Sequence, residues 1–76
     1  MRKLTLYSRI ECPLCEHAAE LLEQKGIPFT EQDIEEKEEW VRLYHVRIPV
    51  LSNGESELNW PFTVDDVATL LVQGSE

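Results

Sequence analysis

This chain of 76 residues predicts an α/β fold, with element order β-α-β-α-β-β-α and a mixed four-stranded sheet carrying helices on both faces. Three observations carry that expectation. A short β-prone segment runs into an amphipathic helix that Gly26 ends, and a second β-prone run follows. Asn53-Gly54 then sits between two further β-prone runs, a strong short-range hairpin signal. Finally, Thr63-Val64-Asp65-Asp66 opens a segment with helical apolar spacing. A strand–helix–strand opening requires a right-handed crossover and a parallel pair, and the hairpin adds antiparallel strands. A chain this short buries only about 60% of the surface its unfolded form exposes, so a single domain over residues 1–76 is expected.

In chain order, Lys3-Leu4-Thr5-Leu6-Tyr7-Ser8 reads as the first strand. The first helix runs from about Cys12 to Lys25, with Cys15, Ala18, Ala19 and Leu22 on one face and Glu16, Glu20 and Glu23 elsewhere. Pro13 suits the first helical turn, where its missing N–H costs nothing. Gly26 fits the position just past the helix end. The run 27–34 reads as a second strand, and Glu35–His45 as a second helix with Trp40, Val41, Leu43 and Tyr44 on one side. Arg47–Leu51 and Glu57–Asn59 are the arms of the hairpin. Thr63 to Asp66 resembles a capping box with aspartate in the usual Glu/Gln place. The face expected of the helix it opens is Val64, Val67, Ala68 and Leu71.

Composition excludes several classes of function. Seven basic residues against 15 acidic give a net charge of −8. Nucleic acid is excluded as a partner, because affinity for it comes largely from Lys and Arg neutralising phosphates. An anionic membrane surface is excluded on the same ground. The field favours basic partners. No apolar run approaches the roughly 20 residues that span a bilayer. The segment 1–9 lacks the apolar stretch of a signal peptide, so a cytoplasmic location is expected. Two cysteines so close together cannot staple a secreted domain. In a reducing cytosol such a pair points to redox chemistry or metal.

The position of Cys12-Pro13-Leu14-Cys15 matters more than its spacing. Cys12 falls where a helix begins, so its sulfur can meet unpaired N–H groups such as that of Cys15 and the positive end of the helix dipole. Both favour the thiolate, the nucleophilic form in disulfide exchange. Arg9 adds to this effect, whereas Glu11 and Glu16 oppose it. Cys15 lies one turn on, on the apolar face, within reach of a mixed disulfide at Cys12. A structural zinc site wants four ligands, usually two such pairs. Here one pair stands with His17 and His45, which read as ordinary surface or capping residues, and no metal site is expected. A cluster shared between two subunits is the alternative. Trp40 and Tyr44 read as core aromatics. Asn59-Trp60-Pro61-Phe62 either packs under the last helix or lines a substrate groove.

Leu6-Tyr7-Ser8-Arg9, Cys12-Pro13-Leu14-Cys15, Arg47-Ile48-Pro49 and Asn53-Gly54 together resemble a glutaredoxin over nearly the whole length, most closely the short bacterial glutaredoxin-like proteins of thioredoxin fold. The resemblance implies a thiol–disulfide oxidoreductase with Cys12 as nucleophile and Cys15 as resolving thiol. It implies Arg9 as the basic residue ahead of the motif, Pro49 as a cis-proline beside the dithiol, and Ile48 as the donor of backbone groups to an extended peptide or to glutathione. Leu14 stands where the family usually has tyrosine. Leu58-Asn59-Trp60-Pro61 replaces the double glycine and acidic residue that hold a glutathione carboxylate. The residues expected to meet substrate are therefore Arg9, Leu14, Ile48, Pro49 and Trp60. No cofactor is expected, with glutathione as a candidate co-substrate that binds weakly. The expected partner is a disulfide-containing protein or peptide, met by a monomer. The second reading is a non-catalytic binding module whose cysteines are vestigial or hold a metal or iron–sulfur cluster with a partner.

Overall fold

The computed structural model describes residues 3–72. Its elements are β1 (Thr5–Ser8), α1 (Pro13–Gln24), β2 (Thr30–Asp33), a 3-10 turn (Ile34–Glu36), α2 (Glu38–Tyr44), β3 (Val50–Ser52), β4 (Glu57–Asn59) and α3 (Val64–Val72). The sheet order is β2-β1-β3-β4. β1 and β2 are parallel, with Thr5 opposite Thr30 and Ser8 opposite Asp33. β1 and β3 are antiparallel, with Tyr7 opposite Val50, and β4 returns beside β3 with Asn59 opposite Val50.

Alternation along the strands divides the interior into two. Leu4, Leu6 and Leu51 point to one face, where they meet Ala18 and Leu22 of α1 together with Phe62, Val67 and Leu70. Tyr7 and Val50 point to the other and meet Ile34, Trp40, Tyr44 and Ile48. Helices therefore cover both faces, α1 and α3 on one and α2 on the other. No helix among the described residues is long and apolar enough to cross a membrane.

The helix ends form as the local sequence dictates. Gly26 takes φ 68°. Its N–H donates to Glu23 and that of Ile27 to Leu22, at 3.1 and 2.9 Å, so the last carbonyls of α1 are satisfied. Thr63 and Asp66 cap α3 reciprocally. The Asp66 N–H donates to Thr63 Oγ1 (3.1 Å) and the Thr63 N–H to Asp66 Oδ2 (3.0 Å). In the hairpin, Asn53 Oδ1 accepts from the N–H groups of Glu55 and Ser56, while its amide donates to the Leu70 carbonyl at 2.8 Å. That buried side chain ties the turn to the end of α3.

Four expectations are corrected. The segment read as one helix from Glu35 is a 3-10 turn followed by α2, separated by Lys37 in extended conformation (φ −138°). The cause is Asp33, whose side chain accepts the Glu35 N–H and starts a separate turn. Leu43 is 51% exposed. Trp40 and Tyr44, one helical turn apart, set the inward face of this seven-residue helix. On α3 the buried pair is Val67 and Leu70, and Ala68 is exposed. The strands also begin later than expected, β2 at Thr30 and β3 at Val50. Both starts lie just past a proline, which has no N–H to give a ladder.

Candidate active site

β1 delivers the chain to a short bend, Arg9 to Glu11, in which Glu11 takes a left-handed φ of 62°. Cys12 is the N-cap of α1, extended at φ −113° and ψ 102°. Its Sγ accepts the Cys15 N–H at 3.2 Å, the contact expected of a sulfur at a helix start. Cys15 is 1% exposed and lies on the face of α1 that carries Ala18 and Leu22. Cys12 is only half-buried. The two are joined as a disulfide, with Cα atoms 5.2 Å apart. One sulfur is thus open to a partner and its mate is shielded. Brief alkylation of the reduced protein, well below the ordinary thiol pKa of about 8.5, should therefore label Cys12 first. Preferential labelling of Cys15 would reverse the two roles.

The residues expected around the dithiol fall into two groups. Pro49 is buried, follows a cis Ile48–Pro49 bond, and lies one step before Val50, at the strand end beside which β1 leaves the sheet. Leu14 is 51% exposed between the cysteines. Leu14 thus lies within the disulfide loop, and Pro49 at the end of the sheet from which β1 runs on toward Cys12. Arg9 is instead turned to Glu35, its Nη2 2.6 Å and its Nε 2.8 Å from one carboxylate oxygen. Any anion drawn to Arg9 has to compete with that ion pair.

Ile48 is half-buried against the α2 face. Its N–H donates to the Tyr44 carbonyl at 3.1 Å, in the turn that closes α2. Of the backbone groups that Ile48 is expected to offer a peptide, the N–H is thus committed within the chain. Trp60 packs edge-on against Phe62, centroids 5.0 Å apart, beside the α1–α3 core. Trp60 is partly buried in this packing. Trp60–Pro61 is a second cis bond, which the sequence did not signal.

His45 ends α2, with Nδ1 2.9 Å from the Val41 carbonyl, and His17 is exposed. Among the described residues no three His, Cys, Asp or Glu side chains come together as a metal site.

Sequence reasoning missed a polar network on the α2 face. Tyr44 stacks on Tyr7 at 4.5 Å and donates its hydroxyl to Glu57 Oε2 at 2.8 Å. Arg47 reaches Glu57 Oε1 at 2.6 Å. Burial, then the hydrogen bond to Glu57 and its charge, push the Tyr44 phenol up from 10.0 to about 12. Burial alone would raise the Glu57 carboxyl. The hydrogen bonds from Arg47 and Tyr44 and the Arg47 charge outweigh it and hold that pKa below 4.5.

The raised Tyr44 value means that its contribution to stability is fully present below pH 10.0 and is lost as pH rises toward about 12. The depressed Glu57 value means a contribution present above pH 4.5 and lost as pH falls below it. Urea midpoints measured across pH should decline at both ends. The alkaline decline should be shallower in Tyr44→Phe, and an unchanged alkaline limb would remove Tyr44 from the account.

Comparison with known proteins gives a consistent result. The glutaredoxin-like domain family (DUF836) matches residues 3–72. The crystal structure of protein XcR50 from X. campestris superposes with a TM-score of 0.77 at 36% identity, covering 90% of this chain and 93% of that one. The thioredoxin-like protein BC3987 superposes at 0.67 with 20% identity, over 91% of this chain and 99% of that one. A glutaredoxin from Archaeoglobus fulgidus gives 0.66 at 20% identity, over 93% of this chain and 87% of that one. The last two share the fold. No functionally curated protein matches.

Proposed function

The chain belongs to the glutaredoxin-like domain family, and on that premise we propose that it is a thiol–disulfide oxidoreductase working through Cys12 and Cys15. The observation that carries this reading is the asymmetry of the pair: a half-buried sulfur at a helix N-cap bonded to one that is 1% exposed.

In the reducing direction the Cys12 thiolate attacks one sulfur of a partner disulfide. A Cys12–partner mixed disulfide forms, and the other partner sulfur leaves as a thiolate that takes up a proton. Cys15 then loses its proton and attacks Cys12 Sγ, releasing the second partner thiol. Two electrons and two protons pass to the partner, and the Cys12–Cys15 disulfide remains. An external thiol reductant restores the dithiol by the reverse exchange. The Cys15 N–H favours the Cys12 thiolate at the start and again when Cys12 is the leaving group.

The proposed setting is the cytoplasm, where reduction supplies the dithiol form. The proposed partner is a disulfide in a protein or extended peptide, and glutathione is a weak co-substrate. Glutathione is net negative and this chain carries −8, so long-range attraction is absent. Arg9 is already paired with Glu35, and Pro61 has no N–H for a second carboxylate.

The test compares reduction of a glutathionylated peptide with reduction of a neutral peptide disulfide. The reading predicts that the neutral peptide disulfide is reduced faster, and that Arg9→Ala changes the glutathionylated rate little. Fast reduction of the glutathionylated peptide that collapses in Arg9→Ala would make glutathione the working substrate instead. Failure to reduce either would remove the oxidoreductase.

A further inference from the structure

Two features beside Cys12 are not needed by the exchange chemistry itself. Ile10 is 76% exposed and Leu14 51%, so two large apolar side chains flank the half-buried sulfur in solvent. Next to them lies a groove of about 480 Å³ whose walls include Ile10, Glu11, Glu16, Glu31, Asp33 and Glu36. Glu11 directly precedes Cys12 and Glu16 directly follows Cys15, so one wall of the groove is made by the residues that flank the disulfide loop. The other wall comes from β2 and the 3-10 turn, which the parallel pairing sets beside β1 through Ser8 and Asp33. Arg9 also borders the groove, and its charge is turned to Glu35.

The sheet order puts this groove on the opposite side of β1 from Pro49. A chain crossing Cys12 from Pro49 therefore runs on toward the carboxylates. An anionic flank there would meet like charges, whereas Lys or Arg would meet opposite ones.

Resting on the exchange reading above, we propose that the partner is a protein disulfide whose attacked cysteine has an apolar neighbour and lysine or arginine on one flank. The apolar side chain rests on Ile10 and Leu14, and the basic flank occupies the acidic groove. The carboxylates act on encounter and orientation and take no part in the bond exchange.

The test uses three peptide disulfides of one length, in which the cysteine is flanked by lysines, by glutamines or by glutamates. At about 0.01 M salt, where the screening length is about 30 Å, the lysine peptide should be reduced at least roughly fivefold faster than the glutamate peptide. At about 1 M salt, where that length falls to about 3 Å, the ratio should approach one. Glu31→Gln with Glu36→Gln should also lower the ratio at low salt. The glutamine that replaces Glu31 still accepts the Ser8 hydroxyl hydrogen bond, made at 2.9 Å in the parent chain.

Equal rates for lysine and glutamate peptides at low salt would overturn the proposal, as would a ratio that survives both high salt and the double substitution. If the glutamine peptide is reduced in those cases, the exchange reading stands and only the partner class falls. If none of the three is reduced, both fall together.

Discussion

Replacing Cys15 by serine is expected to stop turnover while leaving the first exchange intact, so that a mixed disulfide with the partner accumulates on Cys12. Cys15 is the buried member of the pair and its thiol is what displaces the partner from Cys12 Sγ. Without it, release depends on a thiol arriving from solution. Cys12→Ser should instead abolish both exchanges, a loss on the order of a thousandfold or more, since the sulfur that remains, on Cys15, is buried. Serine at a site with 1% exposure brings a hydroxyl into the core, so Cys15→Ala serves as the second variant and should trap the same adduct. Non-reducing mass measurement reads the result. An adduct that forms on Cys12→Ser and not on the Cys15 variants would exchange the two roles.

Leu51→Ala is expected to be among the most destabilising truncations in the sheet. Leu51 is fully buried at the centre of β3, opposite both Leu6 and Leu58, and shares its cluster with Leu22 and Leu70. Removing such a side chain costs about 2–5 kcal/mol, from lost transfer energy and the cavity left behind. At about 0.05–0.15 kcal/mol per residue the whole domain has roughly 4–11 kcal/mol, so on the order of half of its stability is at stake. With a denaturant slope near 1 kcal/mol per molar, the urea midpoint should fall by about 2 M or more. Leu43→Ala is the control. Leu43 is 51% exposed, and its loss should stay within about 0.5 kcal/mol. Equal effects of the two would mean that the core is not where the two clusters set it.

The features legible in the sequence are those decided by neighbouring residues. Gly26 ends α1 because, with no Cβ, it takes the required left-handed φ at no steric cost, and Thr63 with Asp66 caps α3 through groups three residues apart. Cys12 and Cys15 were legible for the same reason, because a helix start and a one-turn spacing are local facts. The α2 segment was less so. Whether Glu35 begins a helix depends on Asp33 having just left a strand, and the strand end depends on pairing with β1. On α3 the sequence anticipated Val67 and Leu71 but put Ala68 on the inward face where Leu70 packs, because Leu70 and Leu71 are both apolar and only packing under the sheet selects the first.

Around the dithiol, the local chemistry was legible and its surroundings were not. Three contacts span large sequence distances or depend on a turn: the pairing of Arg9 with Glu35, the commitment of the Ile48 N–H to Tyr44, and the arrival of Glu31, Asp33 and Glu36 beside Glu11 and Glu16. The parallel pairing implied by the β-α-β opening was the one signal that could have anticipated the acidic wall, since it brings β2 next to β1. Trp60 was legible only as a choice between two environments, and its contact with Phe62 shows the packing.

The most direct test of the central claim is a redox titration of the intact protein, followed by mass, in glutathione buffers of graded poise. If Cys12 and Cys15 form a working dithiol, the mass should fall by two hydrogens over a single transition and return fully on reduction. A mass that stays at the dithiol value across the whole range, or that only gains glutathione without internal disulfide formation, would contradict a two-cysteine exchange mechanism.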